Sequence, residues 1–322
     1  MANPFLSANS DFGLAAEGTR GTAASISSFT PITEPKVSPK LTWLKDAALR
    51  GSPVALYDNV PGVRHDEFTG KVFIYHDVFP NMLRAALGST DSVASVSSSS
   101  STHTIGLLNS ASAGSQPPSY TLVNNSADAV YQMTGSQLSD LSIVSGVDQL
   151  VEATSTWICN PYTNPSVPAV NPSTAHPIPA WNVAASIGGA SVAVIENFQL
   201  DIKRNTAPIH TEGQQAPLYN FAGPIDVTGK LAFVVLAGET FNANALTRDQ
   251  QAIVVQMIDP VTGFYVQFQM SAVQLEDPEI DQSKLYVTLM TNFSAVANTT
   301  DAVGGGYSPI KTVTLNGVGT AY

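Results

Sequence analysis

The sequence predicts a mainly β protein, on three observations. Charged residues make up 12% of the 322-residue chain, about half of the ~25% usual in globular proteins, so its polar surface must come from Ser, Thr, Asn and Gln. Apolar and polar residues alternate with period two in several segments. Only short helices are credible. At roughly 100–200 residues per domain, the chain has room for two modest domains or one elaborated one.

Along the chain, the first forty residues carry Pro31, Pro35 and Pro39 and are expected to be poor in regular structure, as an N-terminal arm over 1–48. A first β-unit is expected over 49–159. In it, Phe68, Val72 and Ile74 share one strand face, and Phe79 to Leu87 reads as a helix with Pro80 near its start and Gly88 as its stop. The Ser-rich run near 92–102 reads as a loop, with Ser97 to Ser101 its flexible tip. Asn160 to Trp181 holds Pro161, Pro165, Pro168, Pro172, Pro177 and Pro179, which favour extended polyproline geometry; it is read as the heart of a linker over 160–192. The second β-unit then covers 193–322. Phe198, Leu200 and Ile202 face one way there and Asn197, Gln199 and Asp201 the other, while Ile253–Ile258 and Phe264–Phe268 form a hairpin around Asp259–Gly263.

The strongest structural clue is internal repetition. Glu67-Phe68-Thr69-Gly70-Lys71-Val72 matches Asp226-Val227-Thr228-Gly229-Lys230-Leu231 as acid, apolar, Thr, Gly, Lys, apolar. Tyr120–Val123 followed by Tyr131–Ile143 corresponds loosely to the Ile253 hairpin. With the proline run between the copies, the pattern reads as a duplicated β-unit.

Charge and chemistry then exclude several classes. Net charge is -11, which disfavours a protein that grips nucleic acid by its phosphates. No Lys or Arg occurs between Ala85 and Ile202, so that stretch is acidic only, with Asp140, Glu152 and Asp201 among its carboxylates. The start lacks a secretory signal, and no stretch reaches ~18 uninterrupted apolar residues, so the expectation is a cytosol-made protein without a membrane span. The single Cys159 cannot form an internal disulfide and is read as a small buried hydrophobe.

The five histidines lack metal-ligand spacing, and no cofactor is expected. His65-Asp66-Glu67 reads as a solvated turn entering a strand, since neighbouring strand residues face opposite ways. Thr-Gly-Lys sits on strands and lacks the earlier glycine of a phosphate loop, and Cys159 has no identifiable base. The expectation is therefore not an enzyme.

Three phrases resemble the major tail (tail tube) proteins of long-tailed, non-contractile bacteriophages, with a texture closest to those of actinobacterial hosts. They are Leu49-Arg-Gly-Ser-Pro-Val-Ala-Leu-Tyr-Asp-Asn-Val-Pro-Gly-Val-Arg-His-Asp-Glu, His103-Thr-Ile-Gly-Leu-Leu-Asn and Ile195-Glu-Asn-Phe-Gln-Leu-Asp-Ile-Lys-Arg-Asn. The resemblance spans roughly Leu41 to Phe293. It implies a β-sandwich tail-tube fold with a short flanking helix, whose sheets join between subunits into a closed barrel. Stacked rings of it form a conduit for genome ejection, DNA passing through without tight binding. Family rings use six sandwich units, and a duplicated chain would build a trimer with pseudo-six-fold symmetry, a hexamer being the alternative. Implied too are tape-measure, tail terminator and distal tail partners, assembly in the host cytoplasm and residence in the virion tail.

Within that picture, Glu67, Asp140, Asp201 and Asp226 are the candidate lumen-lining residues, each opposite the apolar face of its strand. Lys71 and Lys230 are expected to pair with Glu67 and Asp226, leaving Asp140 and Asp201 to set the field. The competing readings are another self-assembling virion β-protein, such as a capsid decoration or fibre protein, and a carbohydrate-binding or hydrolytic β-protein. For the latter, Trp43, Trp157 and Trp181 are too scattered to suggest a sugar platform.

Overall fold

The computed structural model describes residues 5–8, 10–26, 28–48, 50–110, 114–192, 195–235 and 250–322. Its first half contains β1 (Asp11–Ala16), β2 (Phe29–Thr30), β3 (Ile32–Asp46), β4 (Asp58–Phe73), α1 (Pro80–Leu87), β5 (Ser92–Ser97), β6 (Ser100–Gly106), β7 (Tyr120–Asn125), β8 (Val130–Gly146) and β9 (Glu152–Cys159). The second contains β10 (Val183–Ile187), β11 (Ala190–Val192), β12 (Ile195–Lys203), β13 (Ala207–Ile209), β14 (Tyr219–Phe221), β15 (Asp226–Val234), β16 (Gln251–Ile258), β17 (Tyr265–Asp281), β18 (Thr288–Ala295) and β19 (Lys311–Asn316).

Eight strands pair antiparallel into one broad sheet in the spatial order β3, β4, β9, β8, β12, β15, β18, β17. The order is the same in each half. β8 and β17 are 17 residues long, more than the sheet uses, and their N-terminal parts pair instead with β7 and β16, which pair in turn with β1 and β10. Each long strand thus turns a corner from one layer to another, as sandwich strands do at bulges and bends. In β8 the turn falls near Gly135, which takes a left-handed φ of 59°. β17 also pairs with β19, and β19 with β6, so hydrogen bonds cross between the halves here as well as at β8 and β12.

Alternation along these strands builds the core. Phe12 of β1 lies flat on Phe68 of β4 with ring centroids 4.8 Å apart, and Trp157 meets Tyr120 edge-on at 5.8 Å. All four are fully buried. Each such ring contributes about 1.5–3 kcal/mol by leaving water, and the buried apolar residues of both halves form one contiguous cluster. Helix α1 seals it with Met82, Leu83, Ala86 and Leu87. It ends where Gly88 turns left-handed, at φ 88°, and donates its amide to the Arg84 carbonyl.

The structure departs from the sequence reading in four places. The N-terminal arm is largely β-strand: β1 carries Phe12 and Leu14 into the core, and β3 runs for 15 residues despite its prolines. Among the described residues β3 pairs only with β4, so its outer side needs no amide donors, and Pro35 sits where the register shifts between Thr33 and Lys36. The Ser-rich run is a hairpin of β5 and β6, because its hydroxyls satisfy one another while the backbone pairs. His65-Asp66-Glu67 lies inside β4, not at a turn entering it, with Asp66 buried. The linker expected over 160–192 is shorter: residues 160–179 form no strand, as the prolines dictate, but beyond the last of them β10 and β11 form a hairpin and β10 pairs with β16. Among the described residues the eight-stranded sheet is open, its outer strands being β3 and β17.

Candidate functional site

The broad sheet has one face in the core and one polar face. Inward on the central strands lie Phe198, Leu200 and Ile202 of β12, Val227 and Leu231 of β15, and Leu141 and Ile143 of β8, all buried. Residues between them point the other way. The four sequence-predicted acids, Glu67, Asp140, Asp201 and Asp226, therefore all come to the polar face of a single sheet, on β4, β8, β12 and β15.

Strand register decides what each acid meets. Lys71, Thr154, Ser142, Asp201 and Thr228 form one row across five strands. In it, Asp201 accepts the Ser142 hydroxyl at 2.5 Å and the Gln199 side-chain amide at 2.8 Å. The next row places Lys203 between Asp140 and Asp226, although neither acid closes an ion pair with a described residue. Glu67 is bonded by Lys40 of β3 at 2.8 Å, and Lys71 by Glu34 at 3.1 Å. The expected pairing of Lys71 with Glu67 and of Lys230 with Asp226 is thus corrected. Lys40 is closer because it comes from the neighbouring strand of a segment read from sequence as an arm.

The stretch without basic residues folds into the centre of this face. β8 and β9 and all of β12 before Lys203 offer it Glu152, Thr154, Thr156, Asp140, Ser142 and Asp201, while lysines occupy the flanks on β3, β4 and β15. On the second-half side of the face, Gln199, Lys230, Glu279, Met290 and Asn292 line a groove of about 450 Å³. Among the described residues there is no cluster of three or more side chains able to hold a metal, and no helix is long and apolar enough to cross a membrane.

Other polar groups fix the scaffold behind the face. Arg64 donates twice to buried Asp66, at 2.9 Å each, and the Tyr162 amide adds a third bond at 2.8 Å. The Asp66 bond holds the Arg64 guanidinium above its usual pKa. Buried Glu17 accepts from the Gly21 and Gly135 amides and from the hydroxyls of Ser119 and Thr121, at 2.6–3.0 Å, and so pins the corner of β8. Sequence reasoning missed both clusters, since Glu17 draws three of its four partners from more than a hundred residues away. Burial pushes the Cys159 thiol up to about 12, so it stays protonated and unreactive.

A family model described as phage tail tube protein matches residues 7–307. No curated protein matches the chain.

Proposed function

The chain belongs to the phage tail tube protein family, a structural component of the virion tail and not an enzyme, and from that premise we propose that it self-assembles into stacked rings forming a conduit for genome ejection. The single observation that carries this is the eight-stranded sheet, open among the described residues, with one polar face grooved on its second-half side and an outer strand at each side. An open sheet with long free edges is prone to uncontrolled association, and closing it against further copies removes that liability.

The repeated strand order supports reading the chain as two copies of one β-unit, a first over 49–159 extended by the N-terminal strands and a second over 193–322, joined through 160–192. Three such chains would place roughly 24 strands about 4.8 Å apart around a ring, a backbone diameter of at least about 37 Å before strand tilt widens it. That pseudo-six-fold trimer is favoured over a hexamer. Its lumen would be the polar face, with Glu67, Asp140, Asp201 and Asp226 on the wall. A wall whose central lysine, Lys203, lies between Asp140 and Asp226, with Asp201 and hydroxyls in the next row, offers phosphates little net counter-charge, so DNA slides without tight binding. Tape-measure, tail terminator and distal tail proteins are the implied partners at the ends of the tube, with assembly in the bacterial host cytoplasm.

Negative-stain images of the purified protein at high concentration should show tubes with a hollow core. Solid fibres, or no assembly, would sink the reading. Particles carrying Asp140→Lys and Asp201→Lys should retain DNA during ejection, because each new lumen lysine releases counterions on meeting a phosphate; ejection at the wild-type rate would remove both residues from the DNA path.

A further inference from the structure

A buried cation without a counter-charge stands at the end of β12. Arg204 follows Lys203, the last residue of that strand, and its main chain is held on both sides. Its amide donates to the Ser139 carbonyl at 2.7 Å, and its carbonyl accepts from the Gly223 amide at 2.7 Å. At Asn205 the backbone turns left-handed, with φ 44°, and leaves the sheet. The Arg204 side chain is thereby fixed where the strand ends, and the residue is only 3% exposed.

The guanidinium meets little there. One terminal nitrogen, Nη2, donates to the Ser115 carbonyl over a long 3.4 Å, and Nε reaches no acceptor. Among the described residues no carboxylate acts on it. Arg64 shows the usual arrangement, with two bonds of 2.9 Å to buried Asp66. Burial lowers the Arg204 pKa to about 10, so the group is still charged at neutral pH. An ion held out of water without a partner is costly to a fold.

Arg204 lines a cleft of about 290 Å³ together with residues 107–109, 114–116 and 221–225. The amide side chains in its lining are already engaged. Gln116 accepts from the Ala222 amide and donates to the Ala222 carbonyl, both at 2.9 Å, while Asn109 donates to the carbonyls of Leu107 and Gly305 at 3.2 Å each. Leu108, Phe221, Pro224 and Ile225 add apolar surface, and no acidic residue is among the described residues of the lining. The cleft therefore offers a single guanidinium set in a largely apolar wall.

We propose that this cleft binds a monocarboxylate, its two oxygens accepting from the Arg204 guanidinium and a short apolar tail lying against Leu108, Phe221 and Ile225. Charge and shape favour that class. One guanidinium neutralises one negative charge, and its planar fork matches the two oxygens of a carboxylate. A phosphate dianion would carry a second charge into a cleft whose described lining holds no second cation. A neutral molecule would leave the guanidinium as it is. Arg204 lies apart from the four acids of the polar face, so the inference does not depend on the tube reading.

The probe is butyrate, added to the full chain, with acetate, chloride and inorganic phosphate at equal ionic strength and n-butanol as comparisons. Butyrate should raise the wild-type melting temperature in a saturable way, as a ligand of the folded state does, and more than acetate does. Chloride, phosphate and butanol should not. Arg204→Met should melt at or above the wild type in chloride, because it removes an unpaired buried charge, and should lose the butyrate response. Arg204→Lys keeps the charge without the fork and should bind butyrate several-fold more weakly. Phe221→Ala, at a half-exposed position that leaves Arg204 untouched, should shrink the advantage of butyrate over acetate. No saturable response in the wild type, an equal response in Arg204→Met, or a larger response to phosphate would overturn the proposal. Association then identifies the source of the carboxylate. Butyrate that raises the concentration needed for association several-fold indicates an acidic side chain of a second copy in the cleft, and unchanged association indicates a free acid.

Discussion

The two halves of the broad sheet share one wiring but distribute bulk differently beneath it. In the first half, Trp157 packs beside Phe68, and Ser155 lies opposite Gly70. In the second, the large ring has moved two residues along the matching strand: Phe293 lies opposite Gly229, and Ala295 stands where Trp157 would be. Both inward rows are kept while the residue supplying volume changes. Alternation and total volume fix the sheet, and which inward position carries the ring is free as long as its neighbours compensate. Outward positions diverge further, with hydroxyls and acids on β8 and β9, Lys203 on β12 and further lysines on β3, β4 and β15, because no packing constrains them.

The largest expected effect tests whether the halves are independent. Trp157→Ala and Phe293→Ala should each cost about 3–5 kcal/mol. Since one buried cluster spans both halves, chemical denaturation of either variant should remain one cooperative transition at lower midpoint. A two-step curve would show that each half unfolds by itself.

The two glycines sharpen the same comparison. A Cβ at Gly229 would lie 2.2 Å from the Gln199 carbonyl oxygen and 2.3 Å from the Phe293 ring, whereas at Gly70 its nearest obstacle is the Ile32 Cδ1 at 2.5 Å, the end of a flexible side chain. Gly229→Ala should cost about 1–3 kcal/mol or more, as overpacking does, and Gly70→Ala clearly less. Equal midpoints in urea would mean that the backbone at β12 yields as easily as a side chain.

Much of this architecture was legible in the sequence where alternation is strict. The β12 face, the β16 and β17 hairpin, helix α1 and the common orientation of Glu67, Asp140, Asp201 and Asp226 follow from period and turn chemistry alone. β3 was not, because Pro31, Pro35 and Pro39 argue against a strand until its outer side is known to lack a partner. For the same reason Lys40 could not be assigned to Glu67. Nor could pattern show that β8 and β12 pair, since register between segments more than fifty residues apart is set by the whole core. Asp66 illustrates the remaining gap: as one letter between His65 and Glu67 it looks solvated, and only the arrival of Arg64 and Tyr162 around it makes an inward carboxylate affordable.

A smaller effect concerns the contact between the halves beyond the sheet. Buried His103 of β6 bonds Asp91 at 2.7 Å through one ring nitrogen, and its other ring nitrogen lies 2.8 Å from the Val318 carbonyl. Burial pulls its pKa down, but the Asp91 bond and the Val318 carbonyl outweigh that and leave it raised. A raised folded-state pKa means that the folded protein holds the proton more tightly. The stabilisation is complete below the unfolded value of about 6.5 and is lost as pH rises through the folded one. His65 and His76 are shifted the other way by burial and act at lower pH. The melting temperature of the wild type should therefore fall relative to that of His103→Gln as pH is raised from neutrality. Parallel curves would show that His103 is neutral throughout.

The smallest expected effect lies on the polar face, where the halves differ in how their acids are held. Glu67 is reached diagonally by Lys40, which lies opposite His65, but Asn205 occupies the place of Lys40 in the second half, so Asp226 has only Lys203 in its row. The Lys40 and Glu67 side chains are 48% and 32% exposed, so their attraction is screened by water and by salt. A double-mutant cycle with Lys40→Met and Glu67→Gln should give a coupling of about 0.2–1 kcal/mol at low ionic strength, shrinking as salt is added. The same cycle built from Asn205→Lys on the wild-type Asp226 should create a coupling of similar size, if the halves are equivalent in geometry as well as in strand order. A coupling at Lys40 and none at Asn205→Lys would show that the two hairpins diverge where they leave the sheet, and that the equivalence holds only for the strands inside it.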